Sequence, residues 1–435
     1  MERRGCIIRG LSVFTALSVM ISGCGYGNVS EIVDDYLPQE DYVSQYESLF
    51  DNEQMQAAPV EQEYDNTIIV IEEEENENHA ASLPKMDLSK AQLRLQADGY
   101  YNFCYSNLNE MEKQIYVEIY DALITLAEDV KLSTLDAQLV DRIFNCVMID
   151  HPEIFYVTGY TLTKYTLGEK IQKITLSGTY TMSAQDVQQK QLAVDAYVTK
   201  CLAGINKSAS EYEKVKYVYE YLIQNTEYDL ESENNQNILS VCENGRSVCQ
   251  GYAKTYQYLL NRLNVFCTLV KGRVIDRESH VWNLVQVDGE YYYVDPTWGD
   301  ASYTLSRNTP DEKTVQIEAP KINYDYLCVP ENMINKTHVI DALIPLPPCT
   351  SMNANYYVRE GMYFASVDTK QLQEMFSNAY QSGKLSVTIK CADTSVYEEM
   401  LDYLISQECI FDYLEGGNSV SYVKMDNVCA ILIYL

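Results

Sequence analysis

The chain has 435 residues, with 63 acidic against 32 basic side chains and a formal net charge of -31. That balance excludes a nucleic-acid binder, whose affinity rests on neutralising phosphates, and argues against adhesion to anionic lipid surfaces. At roughly 100 to 200 residues per domain, the length predicts about two or three domains once any processed segment is removed.

The first ten residues, MERRGCIIRG, carry three arginines, and the run LSVFTALSVMISG that follows is apolar but short for a membrane span. This is the layout of a secretory signal. Its end, Ile21-Ser22-Gly23-Cys24, resembles the lipobox of bacterial lipoproteins, in which the cysteine is lipidated and becomes the mature N-terminus. Residues 1–24 are therefore expected to be a lipoprotein signal peptide with Cys24 as the lipidation site. The remainder would be extracytoplasmic, tethered to the cell membrane by lipid alone, because no other stretch approaches the ~20 apolar residues of a transmembrane helix. Thirteen cysteines in an exported protein would ordinarily suggest disulfides. With Cys6 and Cys24 removed the remainder is odd and irregularly spaced, which leaves at least one thiol unpaired and no pairing assignable.

Residues 25–92 read as an acidic, disordered linker. No Lys or Arg occurs from 29 to 83, and Glu72-Glu73-Glu74-Glu75 closes the run. The apolar stretch 67–71 is too short to change that expectation. An N-terminal α+β domain follows over 93–207. Ile115, Ile119, Leu123 and Leu126 predict one face of a helix over 110–130, and a second helix is expected over 135–149. Strand-like runs at 154–165 and 171–180 flank Leu167-Gly168-Glu169-Lys170 and predict a hairpin. Ser183 is expected to cap a helix running to about residue 202. His151, which ends a helix, is read as structural.

The central domain, 208–343, opens with a helix over 211–224 carrying Val215, Val218, Tyr219 and Leu222 on one side. The polar stretch 231–237 reads as a loop, with nothing regular before 238 and the next firm element near Ser247. Pro345, Pro347 and Pro348 mark a linker, and 349–435 forms a C-terminal α+β module.

Cys249, in Ser247-Val248-Cys249-Gln250-Gly251-Tyr252, begins a helix whose apolar face is Tyr252, Tyr256, Leu259, Leu260 and Leu263. At a helix start, unsatisfied N–H groups and the dipole favour a thiolate, which is what a nucleophile requires. Downstream, Asp288-Gly289 separates two strand-like runs and predicts a two-residue hairpin turn. If Val287 faces Glu290, pairing back places Trp282 opposite Asp295, and His280 becomes a diagonal neighbour of Asp295 on one face. A thiol at a helix start with a His–carboxylate pair on a sheet is the arrangement of nucleophile, base and orienting group. A zinc site from Cys242, Cys249 and Cys267 fits no familiar ligand spacing, and a Cys242–Cys249 disulfide would silence the thiol.

The strings SVCQGYAKTYQYLLNRL, SHVWNLVQVDGEYYYVDPTWGD and KYVYEYLIQNTEYD resemble the transglutaminase-like superfamily over about a fifth of the chain. The resemblance implies an α+β fold: a papain-like core with the nucleophile helix packed on an antiparallel sheet, here flanked by smaller α+β modules. It implies Cys249 as nucleophile, His280 as base and Asp295 as its orienting group, with Tyr228 a candidate to line an oxyanion hole. It implies acyl transfer or hydrolysis on peptide or protein amides at the cell surface or cell wall, with neither metal nor organic cofactor. The alternative is a catalytically silent surface scaffold, or a lipoprotein whose flanking modules bind cell wall.

Overall fold

A computed structural model describes residues 67–74, 86–97, 101–275, 279–300, 322–416 and 420–435. Cys24, the signal and most of the linker lie outside these residues. The chain divides into two compact units, one running to Asp300 and resuming over Asp325–Ser351, the other including Met352–Leu435. The boundary expected at residue 207 therefore falls inside the first unit.

The first unit opens with strand β1 (Thr67–Glu74) and helix α1 (Leu88–Ala97). Both correct the expectation of a disordered linker up to residue 92. The strand runs parallel to β3 (Val157–Leu167), from Thr67 against Gly159 to Glu74 against Thr166. Long-range pairing supplies the order that its local composition does not. Between them come α2 (Glu110–Thr125), β2 (Val130–Lys131) and α3 (Ala137–Asp150), and β4 (Lys170–Tyr180) completes a sheet of order β1-β3-β4-β2. Helix α2 stops short of the expected residue 130. Leu126 and Asp129 adopt left-handed backbone (φ 52° and 53°), turning the chain so that Val130 pairs with Leu176. The hairpin of β3 and β4 turns at Gly168 as expected.

Helices α4 (Ala184–Leu202) and α5 (Glu211–Gln224) start at Ser183 and Ser210. Each serine accepts from the third helical N–H while Asp186 or Glu213 bonds back, a reciprocal cap worth about 1 kcal/mol over alanine. Helix α6 (Cys249–Arg262) follows a short parallel pair, β5 (Glu227–Tyr228) and β6 (Arg246–Ser247). Residues 238–244, ahead of the firm element expected near Ser247, make a helical turn ending in the π-type segment Ser240–Asn244. Strands β7 (Cys267–Val274), β8 (Ser279–Val287), β9 (Glu290–Val294) and β10 (His338–Ile340) form an antiparallel sheet of order β10-β7-β8-β9. One face buries Val270, Trp282, Leu284, Tyr293, Val329 and Ile334.

The second unit holds β11 (Tyr363–Phe364), β12 (Ser386–Cys391), β13 (Ser421–Met425) and β14 (Ala430–Tyr434) in the order β11-β12-β14-β13. Its helix α7 (Thr369–Gln381), capped by Asp368, buries Leu372, Met375, Phe376 and Ala379. Among the described residues no helix is long and apolar enough to cross a membrane.

Candidate active site

The hairpin of β8 and β9 has the register that its sequence predicts: Val287 pairs with Glu290 and Asn283 with Val294. The turn residues Asp288 and Gly289 have φ of 52° and 83°, the pair of positive values that a tight primed turn demands. Asp295, one residue past β9, thereby comes onto the face of His280. The His280 Nε2 and Asp295 Oδ2 atoms lie 2.7 Å apart, with His280 5 % exposed and Asp295 fully buried.

Asp295 works at both ends. Its Oδ1 caps the short helical turn Pro296–Gly299, accepting from the N–H groups of Thr297 (2.9 Å) and Trp298 (3.1 Å). Its own N–H donates to the Tyr326 carbonyl at 3.0 Å. The turn-opening role of an aspartate before proline and the triad role are thus compatible, because each uses a different oxygen.

Sequence reasoning missed a second histidine. His338, on β10, places Nε2 3.1 Å from the same Asp295 Oδ2 and Nδ1 2.7 Å from the Thr337 hydroxyl. Its ring centroid lies 4.9 Å from both Trp282 and Trp298. Burial pushes the His338 pKa down, against the pull of Asp295, so we assign the neutral ring. Its Nε2–H then donates to Asp295, and its Nδ1 accepts the Thr337 O–H. Burial alone would raise the Asp295 pKa. His280, as a nearby charge and donor, and His338, as a second donor, hold it well below the usual carboxylate range. A strand 43 residues downstream left no local trace at the motif. The one available signal was that His338 is among only four histidines in the chain.

His280, Asp295 and His338 offer ligand atoms within 4.8 Å of one another. Tetrahedral zinc, with bonds of about 2.0 to 2.1 Å, separates its ligand atoms by about 3.3 Å. The 2.7 and 3.1 Å contacts here are shorter and are hydrogen bonds, so the trio does not fit a shared ion. Cys242, Cys249 and Cys267 make no such group among the described residues. Cys242 and Cys249 are not joined in a disulfide.

Cys249 occupies the first position of α6 and is 3 % exposed. Helices α2 to α5 start with side-chain caps, but here the cap residue is Val248 and no side-chain cap is made among the described residues. A helix start without a side-chain cap is a place where first-turn N–H groups can meet an anion at the thiol or a developing oxyanion. Gly251 is required one turn in, since a Cβ there would lie 1.8 Å from Ser247 Oγ. Ser247 is itself fixed by Ser240 at 2.6 Å and by the Asn235 carbonyl at 3.0 Å. Asn283 on β8 donates to the Ala253 carbonyl at 3.0 Å and ties the nucleophile helix to the strand that carries His280. Tyr252 donates to Asp300 at 2.7 Å, pinning α6 to the segment after Asp295. Tyr228 pairs with Ser247, two residues before Cys249, and its ring lies 6.5 Å from that of Tyr252. Tyr217 and Tyr221 pack against each other at 6.0 Å.

Residues 196–296 match the family model described as the transglutaminase-like superfamily. The kyphoscoliosis peptidase of Mus musculus is 22 % identical over 131 residues, a match covering 26 % of this chain. The chain spans about a fifth (20 %) of that curated relative's length. Among solved structures, one described as a TGase is 16 % identical, with a TM-score of 0.24 over 38 % of this chain and 47 % of that one. A protein from Cytophaga hutchinsonii, proposed to be a cysteine protease, is 12 % identical, with a TM-score of 0.20 over 31 % of this chain and 61 % of its own.

Proposed function

Starting from a chain that carries a transglutaminase-like domain over residues 196–296, we propose a cysteine enzyme acting on peptide or protein amides through Cys249, His280 and Asp295. The observation that carries this reading is the buried 2.7 Å bond between His280 and Asp295, on a strand tied to the helix that Cys249 begins. With Nε2 committed to Asp295, proton exchange with the thiol falls to Nδ1. The thiolate attacks the amide carbonyl, and His280 gives its proton to the leaving amine as a thioester forms. In the second half His280 takes a proton from water, whose oxygen displaces the thiol and releases the acid. An amine taking the place of water would give transfer instead. Hydrolysis is the outcome we favour, by analogy with other lone surface proteins. The lipobox-like end of the N-terminal run supports a lipid anchor at Cys24 and substrates at the cell surface or wall.

Alkylation of the chain beginning after Cys24 by iodoacetamide, with peptide mapping from pH 5 to 9, tests the site. A thiol at Cys249 that reacts well below the ordinary cysteine pKa of about 8.5, and slows in His280→Ala, is the expected result. An inert Cys249 in the folded protein would sink the reading. Release of ammonia or amine from amide peptides, against incorporation of a fluorescent primary amine, separates hydrolysis from transfer.

A further inference from the structure

In the second unit, β12 and β14 pair antiparallel from Ser386 against Tyr434 to Lys390 against Ala430. One residue further in the same register Cys391 faces Cys429, and the Cys391 N–H donates to the Cys429 carbonyl at 2.8 Å. Residues opposed and hydrogen-bonded in this way have Cα atoms about 5.5 Å apart, within the span of about 4.4 to 6.8 Å that a disulfide bridges. Both cysteines carry free thiols.

The surroundings draw the two sulfurs towards one another. Burial and the adjacent Cys429 push the Cys391 thiol up to about 12. Tyr397, on the helix Thr394–Leu401, donates to Asp426 Oδ1. Burial and Asp426 push the pKa of its hydroxyl up, and Cys391 and Cys429 both add to that push, so the two thiols face the same ring. Cys429 closes the turn 426–429 with a φ of 51°, the left-handed backbone that glycine takes readily and that a side chain makes costly. Its Sγ lies 3.8 Å from the Thr394 hydroxyl and 3.8 Å from the Asp426 carbonyl, contacts too weak to account for a sulfur at this position. Cys391 is 3 % exposed and Cys429 is partly exposed, so a reagent in solution meets Cys429 first.

We propose that Cys391 and Cys429 form a redox site that closes to a disulfide by exchange with a small-molecule disulfide. The Cys429 thiolate attacks one sulfur of the reagent, and one thiol leaves. Cys391 then gives up its proton to solvent and attacks the Cys429 sulfur of the mixed disulfide, releasing the second thiol. The protein dithiol is oxidised, and the reagent disulfide is reduced to its thiols. The bridge closes a loop of about 40 residues and fastens the turn 426–429 to the end of β12, just before Asp393 caps the helix. Cys249 takes no part, so the site stands apart from the amide chemistry proposed above.

The test takes the full chain after Cys24, reduced and then equilibrated with glutathione disulfide. Remaining thiols are trapped by iodoacetamide in urea, and the peptides are mapped without reduction. The expected result is that Cys391 and Cys429 leave the alkylated pool together, appear as one linked peptide pair, and return together when dithiothreitol is added before trapping. In Cys429→Gly, which suits the left-handed backbone, Cys391 should stay fully alkylated after the same treatment. Wild type decides the question by itself if that variant does not fold. Cysteines that both remain alkylated, a Cys429 that stops at the glutathione adduct, or a bridge from either cysteine to a different one overturns the site.

Discussion

The first unit contains two fully buried aspartates beside histidines, and their ionisation runs in opposite directions. Asp150, at the end of α3, accepts from the N–H groups of Cys104 and Tyr105 and from the Tyr116 hydroxyl, all at 3.0 Å. Burial nevertheless raises its pKa to about 6. Asp295 is equally buried and is held well below the ordinary range. Neighbouring charge and ring donors make the difference. His151 turns its Nδ1 to Glu153, 2.7 Å away, and helps Asp150 only through space. His280 and His338 both bond Asp295 directly. At Asp150 dipolar donors and a histidine charge acting through space do not offset desolvation, whereas at Asp295 two imidazoles bonded directly to the carboxylate, one of them able to carry charge, do. A carboxylate that stays ionised while buried is what a catalytic base needs behind it.

The largest expected effect comes from breaking the Asp295 side of this contrast. Asparagine caps helices as well as aspartate does, so Asp295→Asn keeps the Oδ1 bonds to Thr297 and Trp298 while replacing the charged acceptor that faces the two histidines by an N–H donor. If the proposed mechanism holds, kcat/KM on an amide substrate falls by about 10³ to 10⁴-fold, as when the carboxylate of a Ser-His-Asp triad is neutralised. Asp150→Asn, in contrast, should retain turnover. Equal losses in the two variants would mean that Asp295 is merely structural.

Next comes stability against pH, where the two aspartates carry opposite signs. For Asp150 the folded pKa is raised, so its contribution is greatest below the ordinary carboxyl pKa of about 3.9 and declines as pH rises to about 6. For Asp295 the folded pKa is depressed, so its contribution is complete above about 3.9 and is lost as pH falls below that. Urea midpoints from pH 3 to 8 for wild type and the two asparagine variants measure both. The difference between wild type and Asp150→Asn should change between about pH 4 and 6, and the share that Asp295's own titration adds to the difference for Asp295→Asn should be lost below about pH 4. Two curves of the same sign would refute the contrast.

The sequence exposed the parts of the site that are local and hid those that arrive from elsewhere. Asp288-Gly289 dictated a two-residue turn, and the turn dictated the register that unites His280 with Asp295. Ser183 announced its helix as an N-cap, with the Asp186 that completes the cap three residues on. In contrast, strand β1 gains its order from pairing with β3, about 90 residues away, and nothing in its acidic surroundings signals that. The helical turn at 238–244 follows the polar stretch 231–237 and is fixed by contacts to Ser247, from Ser240 and from the Asn235 carbonyl, that its own seven residues do not signal. His338 reaches Asp295 only because β10 pairs with β7 and β7 with β8. Gly272 permits that crossing, since a Cβ there would lie 2.2 Å from the Val339 carbonyl and 2.6 Å from the Trp282 ring.

The smallest effect tests that third ring, and it separates hydrogen bonding from packing. His338 faces Asp295 and His280, with the Tyr326 ring at 5.9 Å and two indoles against it. Its N–H takes up part of the Asp295 Oδ2 charge that would otherwise act on His280 alone. In His338→Phe the ring contacts remain and the donor is lost, so Asp295 pulls harder on the His280 proton. The alkaline limb of kcat/KM against pH, which marks loss of that proton in the free enzyme, should move up by about one unit. His338→Gln places an amide N–H near the position of Nε2 and should return the limb towards wild type despite poorer packing. Were His338 only a filler between Trp282 and Trp298, the order would reverse, with phenylalanine the milder change and the pH limb unmoved in both.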